Sequence, residues 1–144
     1  MRVLRHGQLS AIAAAGVALS ACGGAKTQAA PEGYTRIAVV DGQTIYAERI
    51  NATQLAVVVR GSLGDQCRGV NAAISSALLC QGAGDGVSEY VAGVPKGSRA
   101  ASFPVDGAPQ AMTIVRTPYG WLGDLAVFID RTHGVRTTGS VTWT

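Results

Sequence analysis

From residue 35 onward, glycine- and proline-containing turn signals cut the chain about every 8–12 residues, the spacing of short antiparallel strands rather than of helices. The sharpest of them is Asp41-Gly42, a two-residue hairpin signal between alternating runs at residues 35–40 and 43–47. In residues 55–60, Leu55, Val57 and Val59 share one face of a β-branched run, against Ala56, Val58 and Arg60 on the other. Further strands are predicted at residues 88–92, 99–105, 111–116, 125–129 and 140–144. Gly93-Val94-Pro95, Asp106-Gly107, Thr117-Pro118 and Gly123-Asp124 punctuate them. This pattern predicts a mainly β fold, a small antiparallel β-sandwich or barrel over residues 35–144.

One segment departs from it. Val70, Ala73, Ile74, Ala77 and Leu78 fall on one helical face, which predicts a short helix or helical turn between the cysteines. A strand through residues 77–81 is the competing reading.

The first residues obey a different logic. Arg2 and Arg5 are followed by an uncharged stretch, residues 9–19, in which Ser10 is the sole polar side chain. Crossing ~30 Å of hydrocarbon takes ~20 apolar residues, so this stretch is too short to span and has the proportions of an export signal. Directly behind it, Leu19-Ser20-Ala21-Cys22 resembles the lipobox of bacterial lipoproteins. The resemblance implies removal of residues 1–21 and attachment of diacylglycerol, with palmitate-type chains, to the Cys22 thiol. Two acyl chains at once satisfy the need for more than one anchoring signal. Residues 22–34 then read as a lipidated start and a flexible tether. The expected location is a cell membrane, on its extracytoplasmic face, or the outer membrane of a cell that has two.

Maturation changes the bulk numbers. Taking 21 residues from 144 leaves 123, enough for one domain. Losing Arg2 and Arg5 from the twelve basic residues leaves ten against nine acids, so the formal charge falls from +3 to +1. No basic run remains, which argues against nucleic acid as a partner. With Cys22 committed to lipid, Cys67 and Cys80 form a pair in an oxidising compartment; the alternative is two separate buried thiols. A bridge between them closes a loop of about 13 residues, which by the chain-entropy model contributes about 3 kcal/mol. So short a link is expected not to join opposite sheets, which speaks against an immunoglobulin framework. Neither cysteine has a second ligand nearby in sequence, so no metal is expected.

Catalytic constellations are sparse. His133, the only histidine of the mature chain, lies near Asp130 and would pair with it in a small envelope hydrolase, yet no nucleophile elbow presents a serine. The carboxylates Asp85 and Glu89, and Asp124 and Asp130, read as solvated turn residues. Gly82-Ala83-Gly84-Asp85-Gly86 lacks the Lys-Ser/Thr ending of a phosphate loop. The best binding feature is the loop around Tyr119 and Trp121, where Pro118 and two glycines can hold aromatics outward. The competing reading has Trp121 or Leu122 folding back to cap the core.

The expected protein is therefore a non-enzymatic envelope-accessory or interaction module without cofactor, anchored in membrane lipid through Cys22 and contacting an envelope protein or glycan. A hydrolase using His133 and Asp130, or an extracytoplasmic ligand-binding lipoprotein, are the alternatives.

Overall fold

Two Asp-Gly pairs make the tightest reversals. Asp41 and Gly42 have φ of 46° and 81°, and Asp106 and Gly107 have 50° and 79°. Positive φ at both central residues is what a type I′ hairpin requires, and its twist matches that of the strands it joins. The computed structural model describes residues 29–62, 64–84, 86–131 and 138–144, so Cys22 and His133 lie outside the described residues.

Among the described residues the strands are β1 (Thr35–Val40), β2 (Gln43–Arg49), β3 (Gln54–Gly61), β4 (Gly64–Ala72), β5 (Leu78–Gly84), β6 (Val87–Val94), β7 (Ala101–Val105), β8 (Ala108–Val115), β9 (Asp124–Asp130) and β10 (Thr142–Trp143). They form two antiparallel sheets, ordered β1-β2-β3-β4 and β10-β7-β8-β9-β6-β5. The mainly β expectation is correct, and most of the expected strands coincide with observed ones.

Two cores follow from the alternation of side chains along β6 and β9. Val91, Leu125, Val127 and Ile129 face the four-stranded sheet and pack with Ile45, Leu55, Val57 and Val59. Tyr90, Ala92, Val94 and Ala126 face the other way. On that side the six-stranded sheet curls over itself, bringing Phe103, Val105, Met112 and Val141 back above them. Tyr90, Phe103 and Phe128 meet there with ring centroids 5.2–5.9 Å apart. Val141 N–H donates to Ser76 O at 2.8 Å, tying the far rim of the curl to the segment before β5. The outer face of β2 and β3 carries Tyr46, Ala56 and Val58, which are also buried.

The helix expected across residues 70–80 is not formed. The chain runs as β4 to Ala72, reverses through residues 73–77 and returns as β5. The apparent apolar face is no face at all, since Val70 and Ile74 are exposed while Ala73 is buried. Long-range pairing overrides the local pattern here: β4 is held by β3 and β5 by β6, each over most of its length.

The disulfide also corrects an expectation. Cys67 and Cys80 are bridged, with Cα atoms 5.8 Å apart, and they join the edge strand of one sheet to the edge strand of the other. A short link suffices because β4 and β5 lie side by side at the seam rather than across the core. Glycines permit that closeness. A β-carbon at Gly69 would strike Leu79 O, and one at Gly82 would strike Gln66 O and stand 3.0 Å from Cys67 Cα.

Of the expected tether, the described part lies along the domain. Tyr34 N–H closes a turn on Pro31 O, and Arg60 Nη1 donates to Ala29 O at 2.8 Å.

Candidate contact site at the Trp121 loop

The loop from β8 to β9 is held from below by one carboxylate. Asp124 is fully buried at the start of β9 and accepts hydrogen bonds from Arg116 Nη1 at 2.6 Å, Gly97 N–H at 3.0 Å and Thr117 N–H at 3.1 Å. Burial alone would push this carboxyl up, but the Gly97, Arg116 and Thr117 donors together hold it below the usual range. The same contacts fasten the neighbouring loop at residues 95–98, with Lys96 Nζ donating to Thr117 O at 3.1 Å.

Above this clamp the chain makes a single 3-10 turn, Gly120–Leu122. Gly123 leaves it with φ of 96°, beneath Val94 O, where a β-carbon would not fit. The turn sends consecutive side chains in opposite directions. Leu122 enters the inter-sheet core, as the capping reading expects of one of the two residues. Trp121 points outward and is 62 % exposed. Tyr119 is half-buried against the same core, and its hydroxyl donates to Ala47 O at 2.7 Å. The two loop aromatics named from the sequence therefore differ: one is a tie between layers and the other is free surface.

Trp121 is one wall of an apolar groove of about 210 Å3, with Ala52, Thr53, Ala73, Ile74 and Leu122. The Arg49 guanidinium sits over the indole, 5.5 Å from its centroid. That arrangement keeps the cation hydrated on one side and attracted to the ring quadrupole on the other. Arg49 could not be linked to the loop from sequence, because the contact depends on how the β2–β3 reversal docks beside the 3-10 turn.

Three of the carboxylates expected to be solvated are not, and the fourth, Asp85, lies outside the described residues. Besides Asp124, Asp130 is buried at the end of β9. Glu89 on β6 is 0 % exposed, and neither carboxyl oxygen has a hydrogen-bond partner. Burial pushes its pKa up to about 7. It stands in phase with Val91, so it faces the inter-sheet core, and its β5 neighbour across the ladder is Gly82. Gln43 Oε1 and Gln66 Oε1 are likewise buried without partners. The two glutamines converge over Gly61, where a β-carbon would meet Gln43 Oε1 and stand 2.7 Å from Gln66 Nε2. The in-phase run Val87, Glu89, Val91 was the sequence signal for a buried acid, because a solvated glutamate breaks such alternation.

Among the described residues, no three His, Cys, Asp or Glu side chains converge to hold a metal ion, and no helix is long and apolar enough to cross a membrane. Comparison with protein-family models, with curated proteins and with solved structures finds no match.

Proposed function

We propose that this protein is an extracytoplasmic lipoprotein: a non-enzymatic contact module kept on a membrane by acyl chains on Cys22, with the Trp121 groove as its working surface. The observation that carries the contact role is the outward indole on a turn clamped by Asp124 and Tyr119. A large aromatic left in water at a fixed position is typical of residues that anchor an interface, since little conformational entropy is lost when it is covered.

The envelope location rests on the Arg2/Arg5 export signal and on Leu19-Ser20-Ala21-Cys22. The bridged Cys67–Cys80 pair supports it, because such bonds persist in oxidising compartments. In this reading the protein needs neither cofactor nor nucleic acid.

The test has two arms. Intact-mass analysis of protein extracted from membranes should give a chain starting at Cys22 and carrying acyl groups, and Cys22→Ser should release the protein from the membrane fraction. A photo-crosslinker replacing Trp121 should yield adducts in whole cells, whereas one at exposed Gln81 should not. A bare N-terminus overturns the anchoring; equal labelling at both positions overturns the contact role.

A further inference from the structure

We propose that the Trp121 end of the domain docks on the surface of an anionic bilayer, giving the anchored protein a second, non-covalent hold on the membrane. The inference rests on the contact role of the Trp121 groove and names its partner.

Four connections meet at this end of the sheets: residues 49–53, 73–77, 95–100 and 116–122. Their convergence is recorded by the groove itself, by the stacking of Arg49 on Trp121, and by Asp124 reaching both Gly97 and Thr117. Together they carry Arg49, Lys96, Arg99 and Arg116, and not one Asp or Glu. All four cations are exposed, as are Ile50, Ile74 and Trp121. Of the acids toward this end, Glu48 lies in β2 against Gly33, Glu32 in the segment before β1, and Asp124 is paired with Arg116, which leaves Arg49, Lys96 and Arg99 as the loop cations outside any ion pair among the described residues. Asp41, Asp65 and Asp106 sit at hairpin reversals of the opposite end. The four loops at this end are thus apolar and cationic, while the described part of the opposite end mixes the exposed acids with Arg60, Arg68 and Arg131.

This combination has a specific chemical match. An indole prefers the headgroup level of a bilayer, where its ring is apolar and its N–H stays wet. Isoleucines beside it extend the buried area. Arginine and lysine lay their stems along such a surface while their heads meet lipid phosphates. A narrow peptide ligand would not use cations spread on separate loops around an apolar centre, whereas a flat negative surface meets them all at once.

The tether permits it. Ala29 O is held by Arg60, toward the far end of β3. Seven residues separate Ala29 from Cys22, a reach of roughly 24 Å when extended. Arg60 to Gln54 along β3 spans roughly 20 Å. An acylated Cys22 and the Trp121 end can therefore contact the same leaflet.

The decisive measurement uses the mature chain from residue 22 with Cys22→Ser, which keeps every described residue and removes both signal and acyl group. It is produced oxidised and titrated with phosphatidylglycerol/phosphatidylcholine vesicles or with phosphatidylcholine alone, read by flotation. In a Trp143→Phe background, Trp121 emission reports insertion. We expect at least about tenfold stronger partitioning onto the anionic vesicles, a blue shift of Trp121, and loss of binding in 0.5 M salt. Trp121→Ser should weaken partitioning about tenfold, and Arg49→Ser with Lys96→Ser by about fivefold per cation, with circular dichroism unchanged. Absence of binding to anionic vesicles, or binding indifferent to both variants, overturns the proposal. So does Trp121-dependent crosslinking to an envelope protein without vesicle binding, which assigns the face to that protein. Because no acyl group is present, failure here leaves the Cys22 anchoring to its own mass-spectrometric test.

Discussion

Gly82 and Gln66 lie on different sheets, yet their backbones approach so closely that the carbonyl oxygen of Gln66 occupies the place a β-carbon on residue 82 would take. The seam between β4 and β5 is built on this absence of a side chain. Gly82→Ala must push the two edges apart, and the expected cost is about 3 kcal/mol, at the upper end of overpacking effects. Ala83→Ser, exposed on the same strand, should stay within about 0.5 kcal/mol. Urea unfolding of both variants checks the contrast.

The same seam carries the disulfide. Replacing Cys67 and Cys80 together by serine should lower stability by about 3 kcal/mol. Adding a reductant to the parent protein should lower its melting temperature comparably and leave the double variant unmoved. A parent insensitive to reduction would show that the bridge contributes nothing to the closure of the two sheets.

Glu89 predicts a loss of stability as the pH rises from mildly acidic to neutral. Its folded-state pKa lies at about 7, against an ordinary 4.5, because burial disfavours the charged form. Between these values the folded state holds a proton that the unfolded chain has released, so stability falls as pH rises through this window. The loss should approach about 3 kcal/mol by pH 8, an upper bound at about 1.4 kcal/mol for each tenfold change in proton affinity. Glu89→Gln should flatten the curve and leave the protein more stable than the parent at pH 8. Denaturation midpoints at pH 5 and pH 8 read this directly.

Asp124 acts in the opposite direction. Its pKa is depressed, so its stabilisation is present at neutral pH and fades as pH drops below the ordinary carboxyl range toward the lowered value. Asp124→Asn keeps the shape but removes the charge from Arg116 and turns one acceptor into a donor facing N–H groups. A loss of about 2–4 kcal/mol is expected. Thermal unfolding should show it, accompanied by faster proteolysis within residues 116–122.

The parts legible in the sequence are those decided locally. Asp41-Gly42 and Asp106-Gly107 declare their turns because few other residues accept positive φ twice in succession. The run from Leu55 to Val59 declares a strand by its branching. The region around Val70 and Ile74 misleads because an i, i+3, i+4 pattern arises by chance when one strand end, a reversal and another strand follow each other. Its true structure depends on Gly69 meeting Leu79 and Gly82 meeting Gln66, contacts with no local signature. The site divides the same way. Pro118 and the flanking glycines marked a loop able to present an aromatic, but which aromatic faces out was decided by the handedness of a single 3-10 turn. Arg49 and Asp124 belong to the site only through tertiary proximity.

Tyr119 spans the layers: its backbone belongs to the β8–β9 connection of one sheet, while its hydroxyl grips Ala47 on β2 of the other. Two residues further on stands Trp121. Any slippage of one sheet over its partner must drag that indole relative to Arg49, which rides on the same strand as Ala47. The emission of Trp121 is therefore a built-in strain gauge, reporting mechanical registration of the two halves before either has begun to unravel.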